Sequence, residues 1–397
     1  NYCMLLPGPE AQQLATYIGW LLHRTWGGVA AGALFVLPSL LLLIGLSWVY
    51  VVFGSVPWVA GLLYGVKPAV AALVVQAVHR IGSKVLKKPS TAPALWTVAA
   101  TSFIAIFVFA VPFPAIVLGA ALVGWLGARY APGQFTGGGG HGAAKATYGP
   151  ALIDDDTPTP AHARFSQARL LQVLAVGALL WLLPFAALVV AYGWHSTLAT
   201  MGWFFTKAAL LTFGGAYAVL PYLYQGGVDQ FGWLSAAQMI DGLALGETTP
   251  GPLIMVVAFV GFVGGWNKEV LGPDALFLGA ALAATVVTWF TFLPSFVFIL
   301  AGGPLVESTH GKLQFTAPLT AITAAVVGVI ANLALFFIAH IAIRTGASGP
   351  FLSQIDWAAL LLALVAGVAL IRLKTGVITV IVLCALAGWG LKTVGWA

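Results

Sequence analysis

Hydrophobic residues fall in blocks long enough to bury a helix on every side, with polar residues confined to the gaps. The blocks are 9–22, 26–53, 57–79, 93–110 and 112–127. After a polar stretch at 128–167 come 168–192, 197–220, 250–265, 275–302, 317–343, 355–371 and 376–393. No charged side chain occurs in 25–66, 89–128, 170–206, 275–306 or 313–343. A crossing helix needs about 20 apolar residues, so each of these windows holds one or two crossings. A short mixed block at 234–247 reads as an interfacial or re-entrant helix. The pattern predicts an all-α polytopic membrane protein with roughly eleven to thirteen membrane segments.

The blocks repeat. Pro7-Gly8-Pro9 and Pro250-Gly251-Pro252 each open a helix-length apolar stretch. A second stretch follows, carrying Val36-Leu37-Pro38-Ser39 in the first half and Phe292-Leu293-Pro294-Ser295 in the second. Each half closes with a pair of short spans whose second member ends alike, in Gly119–Trp125 and Val382–Trp389. Pro and Gly break a membrane helix and free its backbone groups. Lipid cannot satisfy those groups, so such breaks survive only where protein or a watery cavity surrounds them. Matching breaks in two halves therefore point to the central binding site of a transporter. The second half carries a piece, 197–245 with Phe213-Gly214-Gly215, that the first lacks. Its counterpart is expected upstream of Asn1.

Composition supports the membrane reading: of 397 residues, 60% are hydrophobic and 7% charged, with mean hydropathy +0.99, against about 25% charged in soluble domains. The formal charge of +6 belongs to cytoplasmic loops rather than to a nucleic-acid surface. Cys3 and Cys384 match no disulfide or metal spacing, and no cofactor motif is present. Arg80, Lys84, Lys87 and Lys88 cluster in one loop; Arg129, Lys145, Arg164 and Arg169 lie in the next polar stretch. Both are placed inside by the positive-inside rule. The spans between them then form a hairpin turning outside at Val111-Pro112-Phe113-Pro114. Counting onward, the later hairpin turns inside at Arg372 and Lys374. The first Pro-Gly-Pro starts on the outer side and its helix ends inside at His23-Arg24; the second starts on the inner side. The halves are thus inverted. The expected organisation is a first transmembrane repeat at 1–127, short of its first helix, a flexible cytoplasmic linker at 128–167, a connecting helix at 168–196 and a second repeat at 197–397.

The segments Leu5-Leu-Pro-Gly-Pro-Glu-Ala-Gln-Gln13, Phe213-Gly-Gly-Ala-Tyr217, Trp233-Leu-Ser235 and Asp241-Gly-Leu-Ala-Leu-Gly-Glu-Thr-Thr-Pro-Gly-Pro252 resemble those of the chromate ion transporter family, in its long two-domain form. The resemblance covers both halves and omits the linker. It implies efflux of chromate from the bacterial cytoplasm across the inner membrane, resistance to chromate, and sulfate as the competing anion. This chain departs from the pattern in lacking the Phe-Gly-Gly segment of the first domain. The expected partners are chromate, sulfate and membrane lipid, with no nucleic acid; a homodimer is compatible with the reading.

A tetrahedral dianion inside a membrane needs donors and positive potential, which helix starts supply through free N–H groups and a dipole end of roughly half a charge. The candidate binding residues are therefore Pro7, Gly8, Pro9, Phe213, Gly214, Gly215, Pro250, Gly251 and Pro252, with Gln12, Gln13, Thr248 and Thr249 as neutral donors. Thr249 is equally a helix cap. Lys207, within the span 197–220, is a candidate counter-charge; snorkelling, or pairing with Glu247, explains it otherwise. Glu10 and Glu247 flank the two breaks. An ionised glutamate repels a dianion, so each either neutralises a nearby cation or couples a proton to transport; a favoured first-turn carboxylate also explains Glu10. Asn332 and His79 suit interhelical hydrogen bonding as well as pore lining, and Asp229 and Asp241 read as solvated or capping groups on the cytoplasmic side. The resulting mechanism is secondary transport by alternating access, with an anion channel and an oxyanion uptake permease of the same fold as alternatives.

Overall fold

A computed structural model describes residues 6–86, 88–135, 160–213, 216–249, 251–308, 316–343 and 354–395. Among these residues the chain is helical throughout and its only β feature is one isolated bridge. The first half holds α1 (Glu10–Phe53), α2 (Pro57–Val85), α3 (Pro93–Phe109), α4 (Phe113–Tyr130) and the single turn α5 (Pro132–Phe135). Then come α6 (Gln167–Tyr192), α7 (Thr197–Leu211), α8 (Leu220–Tyr224), α9 (Ala236–Thr248), α10 (Val256–Asn267), α11 (Leu276–Ser308), α12 (Thr316–Ala342), α13 (Trp357–Ile371) and α14 (Val377–Thr393). Six of them, α1, α2, α4, α6, α11 and α12, are long and apolar enough to cross a membrane.

The continuous apolar run of α1 is in fact a hairpin. His23 leaves helical geometry and Arg24 adopts φ +57° and ψ −160°, so 10–22 and 25–53 fold back on each other. Glycines make the close approach possible. A Cβ on Gly19 would strike the Gly27 carbonyl and Ala31, and one on Gly28 would strike Thr16 and Trp20; only antiparallel arms give that pairing. The second half repeats the device with α10 and α11. There Gly265 abuts Ala280 and Ala283, and Gly261 abuts Ala283, Ala284 and Val287, across a turn at Gly272, whose φ is +86°. A 13-residue arm rises about 20 Å, against a hydrocarbon core of about 30 Å. The blocks at 9–22 and 250–265 therefore start part-way through the membrane instead of crossing it.

The block at 197–220, expected to cross, also turns back. α7 descends to Leu211, and the chain then returns through 216–230, so that Phe204 stacks on Tyr222 at 4.5 Å and a Cβ on Gly226 would strike Phe204. The mixed block at 234–247 forms α9, whose N-terminal Ser235 carries a capping box with Gln238. Its partner is α10: Gly242 lies against Phe259, Gly246 against Val256, and Asn267 donates to the Trp233 carbonyl at 3.0 Å. α9 thus leads into the second break and α10 packs back along it. Two expected crossings become re-entrant as a pair, so the sidedness counted for everything downstream is unchanged.

The halves interlock. α2 packs on α13 and α14 of the second half, while α12 packs on α3 and α4 of the first. Small residues seat both contacts: Gly388 lies against Gly61 and Gly65, and Gly124 against Ala317, Pro318 and Ala321. Trp125 and Trp389, which end the similar closing spans, directly follow those glycines or are next to them in register. The Val111–Pro114 turn is where expected, and Gln225 fastens it, accepting from Phe113 N at 3.1 Å and donating to the Val111 carbonyl at 3.4 Å. One further expectation changes: Arg80 and Lys84 are not in a loop, because α2 remains helical to Val85. Of the 128–167 linker, 136–159 lie outside the described residues.

Candidate functional site

The two Pro-Gly-Pro tips sit crosswise. Gly8, at φ +123°, lies against Ser295 of the second half's Leu-Pro-Ser motif, and Gly251, at φ +138°, lies against Ser39 of the first. Both glycines are required twice over. Their φ values disfavour any side chain, and an added Cβ would collide with the serine Oγ facing it. Ser39 and Ser295 belong to α1 and α11, which run antiparallel with Gly32 beside Phe296 and Trp48 beside Phe277. In that register the serines are some seven residues apart, about 10 Å along the pair. The two helix starts thus converge on one helix pair from opposite directions, and neither start is capped by a side chain.

The third break joins them. The Gly8 N–H donates to the carbonyl of Thr212 at 2.8 Å, the residue before Phe213, whose own N–H bonds back to the Leu211 carbonyl at 3.1 Å. Beyond the break, Tyr217 donates its hydroxyl to Glu247 at 2.5 Å. The structure therefore brings together Pro7, Gly8, Pro9, Phe213, Glu247, Gly251 and Pro252. Gly214, Gly215 and Pro250 lie outside the described residues.

The polar residues expected as free donors have other work. Gln13 is fully buried and its amide nitrogen donates to the Pro7 carbonyl at 2.8 Å and to Ser295 Oγ at 3.4 Å. It straps the tip to α11. Gln12, also fully buried, donates to Thr16 Oγ1 at 3.0 Å. Thr248 and Thr249 turn their hydroxyls back to the carbonyls of Leu245 and Gly246, both at 2.9 Å. They close the end of α9 rather than start the next helix, so Thr249 is a cap, at the C-terminal end.

Lys207 is not brought to the breaks. It shares the exposed face of α7 with Trp203 and Leu210, and its ammonium lies 5.9 Å from the Trp203 ring centre. The buried face carries Phe204, Phe205, Ala208 and Ala209. A lysine on the outward face keeps its stem in the apolar layer and its charge on an aromatic neighbour. Lys207→Ala is accordingly expected to leave flux within about twofold of wild type, as substitutions at exposed positions usually do; loss of transport measured in proteoliposomes would return Lys207 to the path.

The cations that do face the breaks are Arg80 and Lys84. Sequence reading gave them only a topological role. They stand four residues apart on one face of α2, and both are exposed. The Arg80 guanidinium lies 5.6 Å from the centre of the Tyr217 ring, whose hydroxyl holds Glu247; Lys84 is within electrostatic reach of Glu10. Each flanking glutamate thus has its own cation. The signal available in the sequence was the spacing Arg80-x-x-x-Lys84 continuing an apolar helix without a breaker.

Asp229 is exposed on the π-turn Gln225–Gln230, and Asn332 lines a cavity of about 370 Å³ together with Gln225. His79 is exposed near the end of α2. Asp241 departs from expectation: it is 3% exposed and sits mid-helix in α9. Among the described residues no cluster of three metal-ligating side chains occurs.

Six helices long and apolar enough to cross a membrane, with two uncapped helix starts seated on one antiparallel helix pair, define a multi-pass membrane protein. The chain belongs to the chromate transporter family, whose model matches residues 1–125 and 199–389; the unmatched part contains the linker and α6. It is similar to the chromate transport proteins of Pseudomonas aeruginosa, 33% identical over 332 residues that cover 82% of this chain and 67% of that one, and of Cupriavidus metallidurans, 29% identical over 347 residues, 82% of this chain and 68% of that one. A probable chromate transport protein of Synechococcus elongatus is 27% identical over 82% of this chain and 70% of its own length. No solved structure matches the chain.

Proposed function

We propose that this protein is a secondary transporter that exports chromate from the cytoplasm across the inner membrane and so confers chromate resistance. The observation that carries this reading is the crosswise seating of the two tips, Gly8 on Ser295 and Gly251 on Ser39. It supports a reading in which two helix N-termini, with their amide groups and positive dipole ends, face a shared space between the halves. A tetrahedral dianion suits that environment, and sulfate competes because its shape and charge are alike. The anion enters past Arg80 and Lys84. Glu10 and Glu247 keep those cations neutralised while the site is empty, so the binding of the dianion releases them. Rocking of one half against the other then opens the site to the outer side. An inside-negative potential favours outward movement by roughly 2.3 kcal/mol per charge per 100 mV, which supports efflux without a nucleotide. A homodimer is compatible with the exposed apolar faces of α6 and α13.

The test is counterflow in proteoliposomes with chromate, sulfate and a pH gradient varied separately. Saturable exchange of labelled chromate, inhibited by sulfate, is expected. Flux linear in concentration at channel rates would defeat the reading. In the same assay Glu247→Gln is expected to alter the pH dependence of flux, because it removes a carboxylate that competes with the anion for Arg80. An unchanged profile would exclude that competition.

A further inference from the structure

A cavity of about 450 Å³ opens beside Gly54, Ser55 and the end of α10. At its floor Lys67 of α2 pairs with Asp241 of α9, Nζ to Oδ2 at 3.7 Å, and Tyr50 of α1 donates to the same oxygen at 2.9 Å. The other carboxylate oxygen, Oδ1, is buried and has no partner. Lys67 is 31% exposed against 4% for the Asp241 side chain, so the ammonium faces the cavity and the carboxylate lies behind it. The mouth adds Lys392 of α14, Asn267 of α10 and Gln238 of α9. The remaining titratable neighbours are Tyr64, which donates to Asp356 at 2.8 Å, and His340 of α12, within electrostatic reach of Lys67.

We propose that this cavity is a second oxyanion station on the exit side, at which Asp241 acts as a tethered competitor for Lys67. The inference rests on the transport reading above. An oxyanion held by Lys67 stands close to the carboxylate that already occupies the ammonium. The two negative charges exclude each other at that distance, in a site of low dielectric. Protonation of Asp241, with the proton from solvent going to the unpartnered Oδ1, removes the rival and leaves Lys67, with Lys392, to hold the anion. Deprotonation restores the Lys67–Asp241 pair and expels the anion toward the outer side. By linkage, anion and proton raise each other's affinity by the same factor.

Equilibrium binding of labelled chromate to the purified full chain tests this, with sulfate as a second probe. Two anions per chain are expected at a pH where Asp241 is protonated and one at higher pH; between these limits about one proton is taken up as the second anion binds, measured with sulfate because it stays a dianion across this range. Asp241→Asn should hold the second anion at neutral pH, at least about tenfold more tightly than wild type and without pH dependence. Lys67→Gln should lose the second anion and keep the first, whereas Lys67→Arg keeps both. One anion per chain at every pH, or a second whose binding takes up no proton in the wild type, overturns the station while leaving the transport reading intact. No bound anion under any condition defeats the transport reading itself. The proton measurement uses the wild type, so misfolding of a variant cannot hide the answer.

Discussion

Arg80→Gln is expected to lower saturable chromate flux through reconstituted protein by about tenfold. Arg80 lies over the ring of Tyr217, whose hydroxyl holds Glu247 at the edge of the central breaks. Removing it leaves Glu247 less compensated and takes away an attraction for the dianion. Arg80 is exposed, so its interaction with Glu247 is worth no more than about 1 kcal/mol, and the lost attraction for the dianion adds an effect of similar size. Two controls separate charge from folding. Arg80→Lys keeps the charge but loses the planar group that stacks over Tyr217, and should retain part of the flux. Arg80→Gln combined with Glu247→Gln removes both charges and should recover more flux than Arg80→Gln alone. If Arg80→Gln transports at the wild-type rate with matched protein in the vesicles, Arg80 does not guide the anion.

Gly251→Ala and Gly8→Ala should each abolish transport or the accumulation of folded protein. At φ +138° and +123° a side chain is strained, by about 1–3 kcal/mol, and the collision with Ser39 or Ser295 adds an overpacking cost of about 1–3 kcal/mol. The crosswise seating makes a specific rescue possible. Ser39→Gly in the Gly251→Ala background removes the collision but not the backbone strain, so stability and flux should return in part. Ser295→Gly should relieve Gly8→Ala less, because the new Cβ still meets Gln13 Nε2 at 2.8 Å, and should not relieve Gly251→Ala. Thermal unfolding in detergent, monodispersity and chromate exchange read the outcome. Rescue by the serine of the wrong half, or an unimpaired Gly251→Ala, would mean that the tips are not seated as described.

Much of this architecture is legible in the chain because a bilayer leaves few choices. Uncharged windows such as 25–66 and 275–306 have no stable place but lipid, and the Pro-Gly-Pro and Leu-Pro-Ser pairs announce duplication before any fold is known. Charge asymmetry also orders the halves correctly as inverted. It fails where length and hydropathy cannot tell a crossing from a return. The run from Glu10 to Phe53 is apolar across His23-Arg24, so nothing in hydropathy marks the reversal; its signal is the small-residue pattern Gly19, Gly27, Gly28 and Gly32, which lets the arms touch. Charge within an apolar block is costly, which makes Lys207 a candidate counter-charge or a snorkelling residue; which face of α7 it occupies depends on packing, and the ring of Trp203 lies beside it. Asp241 was read as solvated because its partners, Tyr50 and Lys67, are some 190 and 174 positions away in sequence.

What the sequence determined by itself is the solvent each segment prefers, where the helices are broken, and that the breaks occur in two opposed copies. These follow from local chemistry: apolar side chains, prolines without N–H groups and glycines without Cβ atoms behave alike wherever they stand. The tertiary structure alone decided which serine receives which glycine, which cations meet Glu10 and Glu247, and that Lys67 pairs with Asp241. Those are contacts between residues from 74 to 287 positions apart, set by how helix faces fit together, and no local preference encodes them.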